Sequence, residues 1–196
     1  MQQRRHWRLK GATLASVVFL ACGGSGTPNG SLSFSIAEGL LVLVDTDPTL
    51  GEVVLASGTG NCPYLQQNYS PDQIGNTGFL YFPLTLVNTY AQPQPLTTGT
   101  YNVIDPSMGY DGGAGFYTLA LVLQTDSACN YTGVAGTGGS VTVSPFNVDG
   151  GTSDVSYNII VSGNRVTGAY PLISCVLSAG LSPPDAGCII PGLGPT

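Results

Sequence analysis

The side chains of this 196-residue chain that could do chemistry are unevenly placed. The single His (His6), the single Trp (Trp7) and the bases Arg4, Arg5, Arg8 and Lys10 all fall in the first ten positions. Beyond them stand all eleven Asp and Glu and one strong base, Arg165. That distribution excludes imidazole bases, Ser-His-Asp and Cys-His systems, His-ligated metals and catalytic lysines from the body of the chain. It also excludes a phosphate-neutralising surface, so no nucleic-acid partner is expected. No cofactor is implied, and the Gly-x-Ser-x-Gly and Asp-Thr-Gly motifs of hydrolases and aspartic proteases are absent.

What remains is carboxylate, thiol and phenol chemistry. A pair of acids can hydrolyse a glycoside without any His. Asp111, Asp149 and Asp154 are the acids nearest to aromatic residues, yet each lies in or beside a Gly-rich turn, where acids are commonplace. Asp45-Thr46-Asp47 invites a calcium reading, but Leu50 stands where an EF-hand needs Gly and Ala56 where it needs the bidentate acid. Gly112-Gly113-Ala114-Gly115 begins like a nonapeptide calcium repeat, with Tyr117 in place of its Asp and no second copy. Turn chemistry accounts for these acids, and no metal site is expected.

Five cysteines leave four once Cys22 is set aside: Cys62, Cys129, Cys175 and Cys188. A redox or metal site needs close spacing such as C-x-x-C, which does not occur, so structural disulfides are expected, in any of three pairings. Ten tyrosines are the other supply of chemistry. Tyr64, Tyr69, Tyr110 and Tyr131 lie in loop-like segments and are the candidates for recognition of a sugar or a protein.

These residues must be carried by an exported domain. A basic stretch is followed by the apolar run Gly11–Ala21 and then by Cys22, the layout of a secretory leader. As a helix the run would rise only about 16 Å, too short for a hydrocarbon core of about 30 Å. Phe19-Leu20-Ala21-Cys22 resembles the lipobox of bacterial lipoproteins, which implies cleavage before Cys22 and acylation of it. Gly23 stands where an Asp would resemble an inner-membrane retention signal, so the resemblance implies an outer-membrane address. Arg4-Arg5 before Trp7 resembles a twin-arginine signal only faintly and reads as an ordinary basic region. The chain therefore divides into a leader (1–21), a Gly-rich tether (22–30) with a reach of about 15 Å, one domain (31–190) and a loose tail (191–196). Sequons at Asn29, Asn68 and Asn130 carry no weight in a bacterial chain.

The domain reads as all-β, a single antiparallel β-sandwich or flattened barrel of about eight to ten strands with two disulfides. Expected strands cover 31–36, 40–44, 53–56, 79–87, 100–104, 116–124, 140–146, 154–162 and 165–172. A Gly163-Asn164 turn would place Val161, Ile159, Tyr157 and Val155 opposite Val166, Gly168, Tyr170 and Leu172 on an inner face, with Val141 and Val143 extending it. The block from Cys129 through Gly139–Val143 and Arg165–Tyr170 to Cys175, with the strand opening Gly99-Thr100-Tyr101, is similar to the C-terminal half of a group of small bacterial lipoproteins. That resemblance implies a sandwich with a Cys129–Cys175 disulfide, leaving Cys62–Cys188. A local Cys175–Cys188 loop competes, and no activity comes with the resemblance. The functional expectation is a membrane-anchored envelope lipoprotein, a structural or recognition module meeting the bilayer through Cys22 and an envelope protein or polysaccharide through its surface. A carboxylate-dependent polysaccharide hydrolase and a calcium-dependent binding module are the alternatives.

Overall fold

The structure, a computed structural model, describes residues 32–45, 47–67, 73–108, 113–147, 151–178, 189–190 and 194–195. Its strands are β1 (Glu38–Val44), β2 (Asp47–Ala56), β3 (Gly78–Val87), β4 (Gly99–Val103), β5 (Gly115–Thr118), β6 (Leu121–Thr125), β7 (Tyr131–Val143), β8 (Ser153–Val161) and β9 (Asn164–Leu177). One short helix, α1 (Cys62–Gln66), lies between β2 and β3, and β10 (Ile189–Ile190) pairs with β11 (Gly194–Pro195).

β1–β9 close into a barrel, so the sandwich alternative is corrected. β3 pairs with β5 and β6 in one continuous register, from Val87 opposite Gly115 to Gly78 opposite Gln124. The two therefore act as a single strand interrupted at Leu119-Ala120. On its other side β6 meets the first part of β7, while β4 wedges between β5 and the last part of β7. The wall then runs through β8, β9, β1 and β2, and a β2–β3 ladder closes it. Closure leaves no long edge for another chain to extend. The sheet is also not purely antiparallel, because β1 runs parallel to β9 and β4 parallel to β5.

Several strand expectations change: β2 starts at Asp47 rather than 53, the expected strand over 116–124 is broken into β5 and β6, and β9 runs on to Leu177. Residues 32–37 form no strand. Leu32, Phe34 and Ile36 instead pack on the inner core, with the Phe34 ring lying on Gly78 and Ser33 bonded to Gln124. This segment crosses the mouth of the barrel where β1 begins. β7 starts nine residues earlier than the expected strand at 140, at Tyr131. Four glycines (133, 136, 138, 139) depress its β-propensity, and a register shift between Gly136 and Gly138 bends it near the point where it exchanges β6 for β4.

The β8–β9 hairpin keeps its expected faces but shifts register by two residues. Ile159 faces Val166, Tyr157 faces Gly168 and Val155 faces Tyr170. The turn is centred on Ser162 and Gly163, both at positive φ (50° and 77°), as a tight two-residue hairpin of the I′ kind requires. The expected register would have set Tyr157 directly against Tyr170 inside a packed barrel. The observed one lays Tyr157 across Gly168 and beside Tyr170, with near-parallel rings 6.4 Å apart. A Cβ at residue 168 would come within 2.5 Å of the Tyr157 hydroxyl. Gly168→Ala should therefore destabilise the domain by about 1–3 kcal/mol through overpacking, measured by urea denaturation. A neutral effect would show that Tyr157 packs elsewhere.

The interior is filled by Leu41, Leu55, Leu80, Phe82, Tyr101, Val141 and their neighbours, with Val141 and Val143 extending the hairpin's inner face as expected. Burial pushes the Tyr101 and Tyr157 phenols up to about 12, so both stay neutral in the core. A second apolar cluster lies outside the barrel. Leu40 and Val42 of β1, Val54 and Ala56 of β2, Phe79 of β3 and Cys175 of β9 are covered by Leu65 of α1 and by Ile74. The cover is fixed by a Cys62–Cys175 disulfide. This corrects the expected Cys129–Cys175 pair, and with it Cys62–Cys188 and Cys175–Cys188. It is the one disulfide whose two cysteines both lie among the described residues; Cys129 is disulfide-bonded as well, and Cys188 lies outside the described residues. The reason is topological: the parallel β1–β9 pairing turns Cys175 outward, opposite Val42, beneath α1.

Candidate functional site

The surface of the barrel is divided. Along β1, the end of β2 and the start of β3 the outward residues Leu40, Val42, Val54, Ala56 and Phe79 are apolar and roofed, whereas on β4, β7, β8 and the first half of β9 they are mostly short, polar and open. Strand alternation sends every second residue outward, and the register aligns those residues in rows. Thr100, Thr142, Ser156 and Ala169 form one row. Asn102, Ser140, Asn158 and Thr167 form the next. Thr100 and Thr142 share a hydroxyl hydrogen bond of 2.9 Å. Charge appears only towards the two ends of β8–β9, as Asp154 opposite Pro171 and Arg165 opposite Ile160.

A recess of about 250 Å³ opens in this wall beside Asp154, lined by Thr142, Ser144, Ser156, Ala169 and Pro171 and by Val155 and Tyr170. No hydrogen bond reaches the Asp154 carboxylate from the described residues, so its oxygens face solvent with Ser144 and Ser156 beside them. Of the three candidate acids it alone is described, since Asp111 and Asp149 lie outside the described residues. Among the described residues it is the one acid lining the recess.

The other candidate residues are dispersed. Tyr64 is half-buried and packs on the outer apolar cluster. Tyr131 opens β7 and is 45% exposed. Tyr69, Tyr110 and Cys22 lie outside the described residues. Asp47 serves as the turn residue the sequence suggests, accepting hydrogen bonds from the Thr49 amide (2.9 Å) and hydroxyl (2.6 Å). Among the described residues no three His, Cys, Asp or Glu converge as metal ligands.

Two polar clusters escape the sequence reading. Glu38 accepts hydrogen bonds from the Gly60 and Asn61 amides, both 3.0 Å, and from Asn61 Nδ2 at 2.6 Å, while Asn61 Nδ2 also donates to the Gly58 carbonyl. Asn61 is fully buried, so this knot holds the root of α1 to the start of β1. In the second cluster the Tyr81 hydroxyl donates to Glu52. Glu52 is half-buried on β2 beside Tyr81. Burial raises its pKa above the usual carboxylate range, opposed by the hydrogen bond from Tyr81, and Tyr81 is raised well above 10 by the same burial and by the acid. Lys10 is the last lysine of the chain, and Arg165 lies exposed on β9. One signal could have marked Glu52: it sits at an outward position between Leu50 and Val54 on a strand whose outward face is otherwise largely apolar.

Fold and surface together define a small closed β-barrel, packed solid inside, with one roofed apolar flank and one open polar flank. Comparison of the chain with protein families, with curated proteins and with solved structures returns no match.

Proposed function

We propose that the chain is a cell-envelope lipoprotein, held at the outer membrane by lipid on Cys22, whose barrel is a non-enzymatic structural or recognition module. The observation that carries this reading is the order of basic residues, apolar run and Ala21-Cys22 at the start of the chain. The geometry supports it in two ways. Residues 32–37 lie across one mouth of the barrel, so a tether over 22–30 leading into them would approach the domain at that mouth and leave the polar flank accessible from the side. The interior is filled by core side chains, which favours recognition at the outer surface of the barrel.

Several acyl chains, each methylene contributing about 0.8 kcal/mol when buried, make a durable anchor where a single chain would not. Mass spectrometry of the mature N-terminus should find an acylated Cys22, and Cys22→Ala should leave the leader unprocessed or shift the protein wholly out of the membrane fraction. An unmodified N-terminal residue on the membrane-associated protein would refute the anchor.

A further inference from the structure

We propose that the recess beside Asp154, with the polar rows around it, is a binding site for a neutral polysaccharide. The proposal rests on reading the domain as a recognition module and names what that module recognises.

A sugar ring presents hydroxyls at its rim and C–H groups on its faces, and the recess offers both complements. Ala169 and Pro171 supply an apolar floor, and Asp154, Ser156 and Ser144 stand around it with acceptor and donor capacity to spare. The carboxylate is the strongest acceptor on the wall and is not committed to any described residue. The rows beyond it, Thr100–Thr142 and Asn102–Ser140–Asn158–Thr167, continue the same hydroxyl and amide chemistry across four strands, enough to follow a chain rather than a single sugar. Solvated sheet faces ordinarily carry long Lys and Glu side chains. Here the side chains are short and set on a closed barrel, so ordering them against a ligand costs little entropy and the wall is rigid before binding.

The charge of the chain selects among sugars. With eleven acids and one arginine beyond residue 10, an anionic glycan or a phosphate meets a repulsive field, whereas a neutral polymer does not.

The test uses full-length protein in detergent and native gels containing laminarin, dextran or polygalacturonate, with reducing ends assayed in parallel. Laminarin or dextran should retard the protein and polygalacturonate should not. Asp154→Ala and Ser156→Glu should each weaken binding at least about tenfold, the effect of losing or blocking a charge-assisted hydrogen bond, while Thr85→Ala on the exposed face of β3 leaves it unchanged. Thermal unfolding of the variants near the wild-type midpoint keeps the comparison clean, because these positions lie on the solvent side of the wall. Absence of retardation by either neutral polymer, preference for polygalacturonate, or retardation that survives both wall variants would overturn the proposal. A protein partner whose binding is lost in Ser156→Glu would likewise overturn it while leaving the recognition reading intact. Release of reducing ends would overturn the recognition reading itself.

Discussion

Removing the Cys62–Cys175 bond, as the double variant Cys62→Ala/Cys175→Ala, is expected to lower the stability of the domain by about 5 kcal/mol. The two cysteines are 113 residues apart. Closing a loop of that length takes most conformational freedom from the unfolded chain on the entropy model. Against a typical total of about 5–15 kcal/mol for a domain, the loss is large. It should also have a location. The bond ties α1 to β9 over the outer apolar cluster, so its removal frees the cover from Leu40, Val42, Val54 and Phe79 before the barrel itself opens. Urea unfolding and binding of a hydrophobic dye below the main transition measure the two effects. An unchanged midpoint, or a non-reducing peptide map joining Cys175 to Cys129, would contradict the arrangement.

The Glu52–Tyr81 pair is expected to make stability depend on pH in the sense opposite to most carboxylates. The folded pKa of Glu52 lies above its ordinary value of 4.5. Below that ordinary value the group is protonated in both states and the folded domain keeps its full stability. As pH rises from there through the folded value, the native state holds its proton longer than the unfolded chain does. Stability therefore falls across that window and levels off above it. Glu52→Gln, neutral at every pH and still able to accept from Tyr81, should abolish this slope and leave the variant more stable than wild type at pH 7–8. Tyr81→Phe should cost about 1–2 kcal/mol by leaving a half-buried acceptor without its donor and should steepen the slope, because the bond that opposes the pKa rise is gone. Urea denaturation of the three proteins between pH 4 and 8 decides the matter. Parallel curves for wild type and Glu52→Gln would show that the carboxyl is solvated.

Asp105 and Asp126 provide the contrast. Hydrogen bonds from the Ser107 hydroxyl and from the Asn130 amide, respectively, are the main causes that hold these exposed carboxyls below their ordinary range. Their contribution is present above the ordinary carboxylate value and is lost as pH falls through the lowered folded values. The comparison of variants above separates Glu52 from this background, because Asp105 and Asp126 are common to all three proteins.

The hairpin shows how far alternation alone can be read. Apolar residues at 155, 157, 159 and 161 and again at 166, 170 and 172 set the inner faces of β8 and β9, because side chains on a strand alternate strictly. A slip of two residues preserves that alternation, so the faces survive while the partners change. The choice between registers fell to the space across Gly168, which only neighbouring strands define. The polar wall was legible in the same partial way. The polar alternates of 154–158 and 167 stand out in the sequence, but their alignment with Thr100, Asn102, Ser140 and Thr142 needs the β4–β7 ladder.

What the sequence determined by itself is local or compositional: the β class, the strand faces, the exclusion of imidazole and lysine chemistry from the domain, and the Asp47 turn. Each follows from side-chain alternation, propensity or the presence of a residue type, none of which depends on distant parts of the chain. The tertiary structure decided closure into a barrel, the parallel β1–β9 contact and hence the partner of Cys175, the use of Leu32, Phe34 and Ile36 as packing rather than as a strand, the burial of Asn61 and the partial covering of Glu52. All of these join residues tens of positions apart. Pairing energies in a sheet depend on which side chains meet across strands, and a carboxyl becomes a buried group only once other segments have covered it.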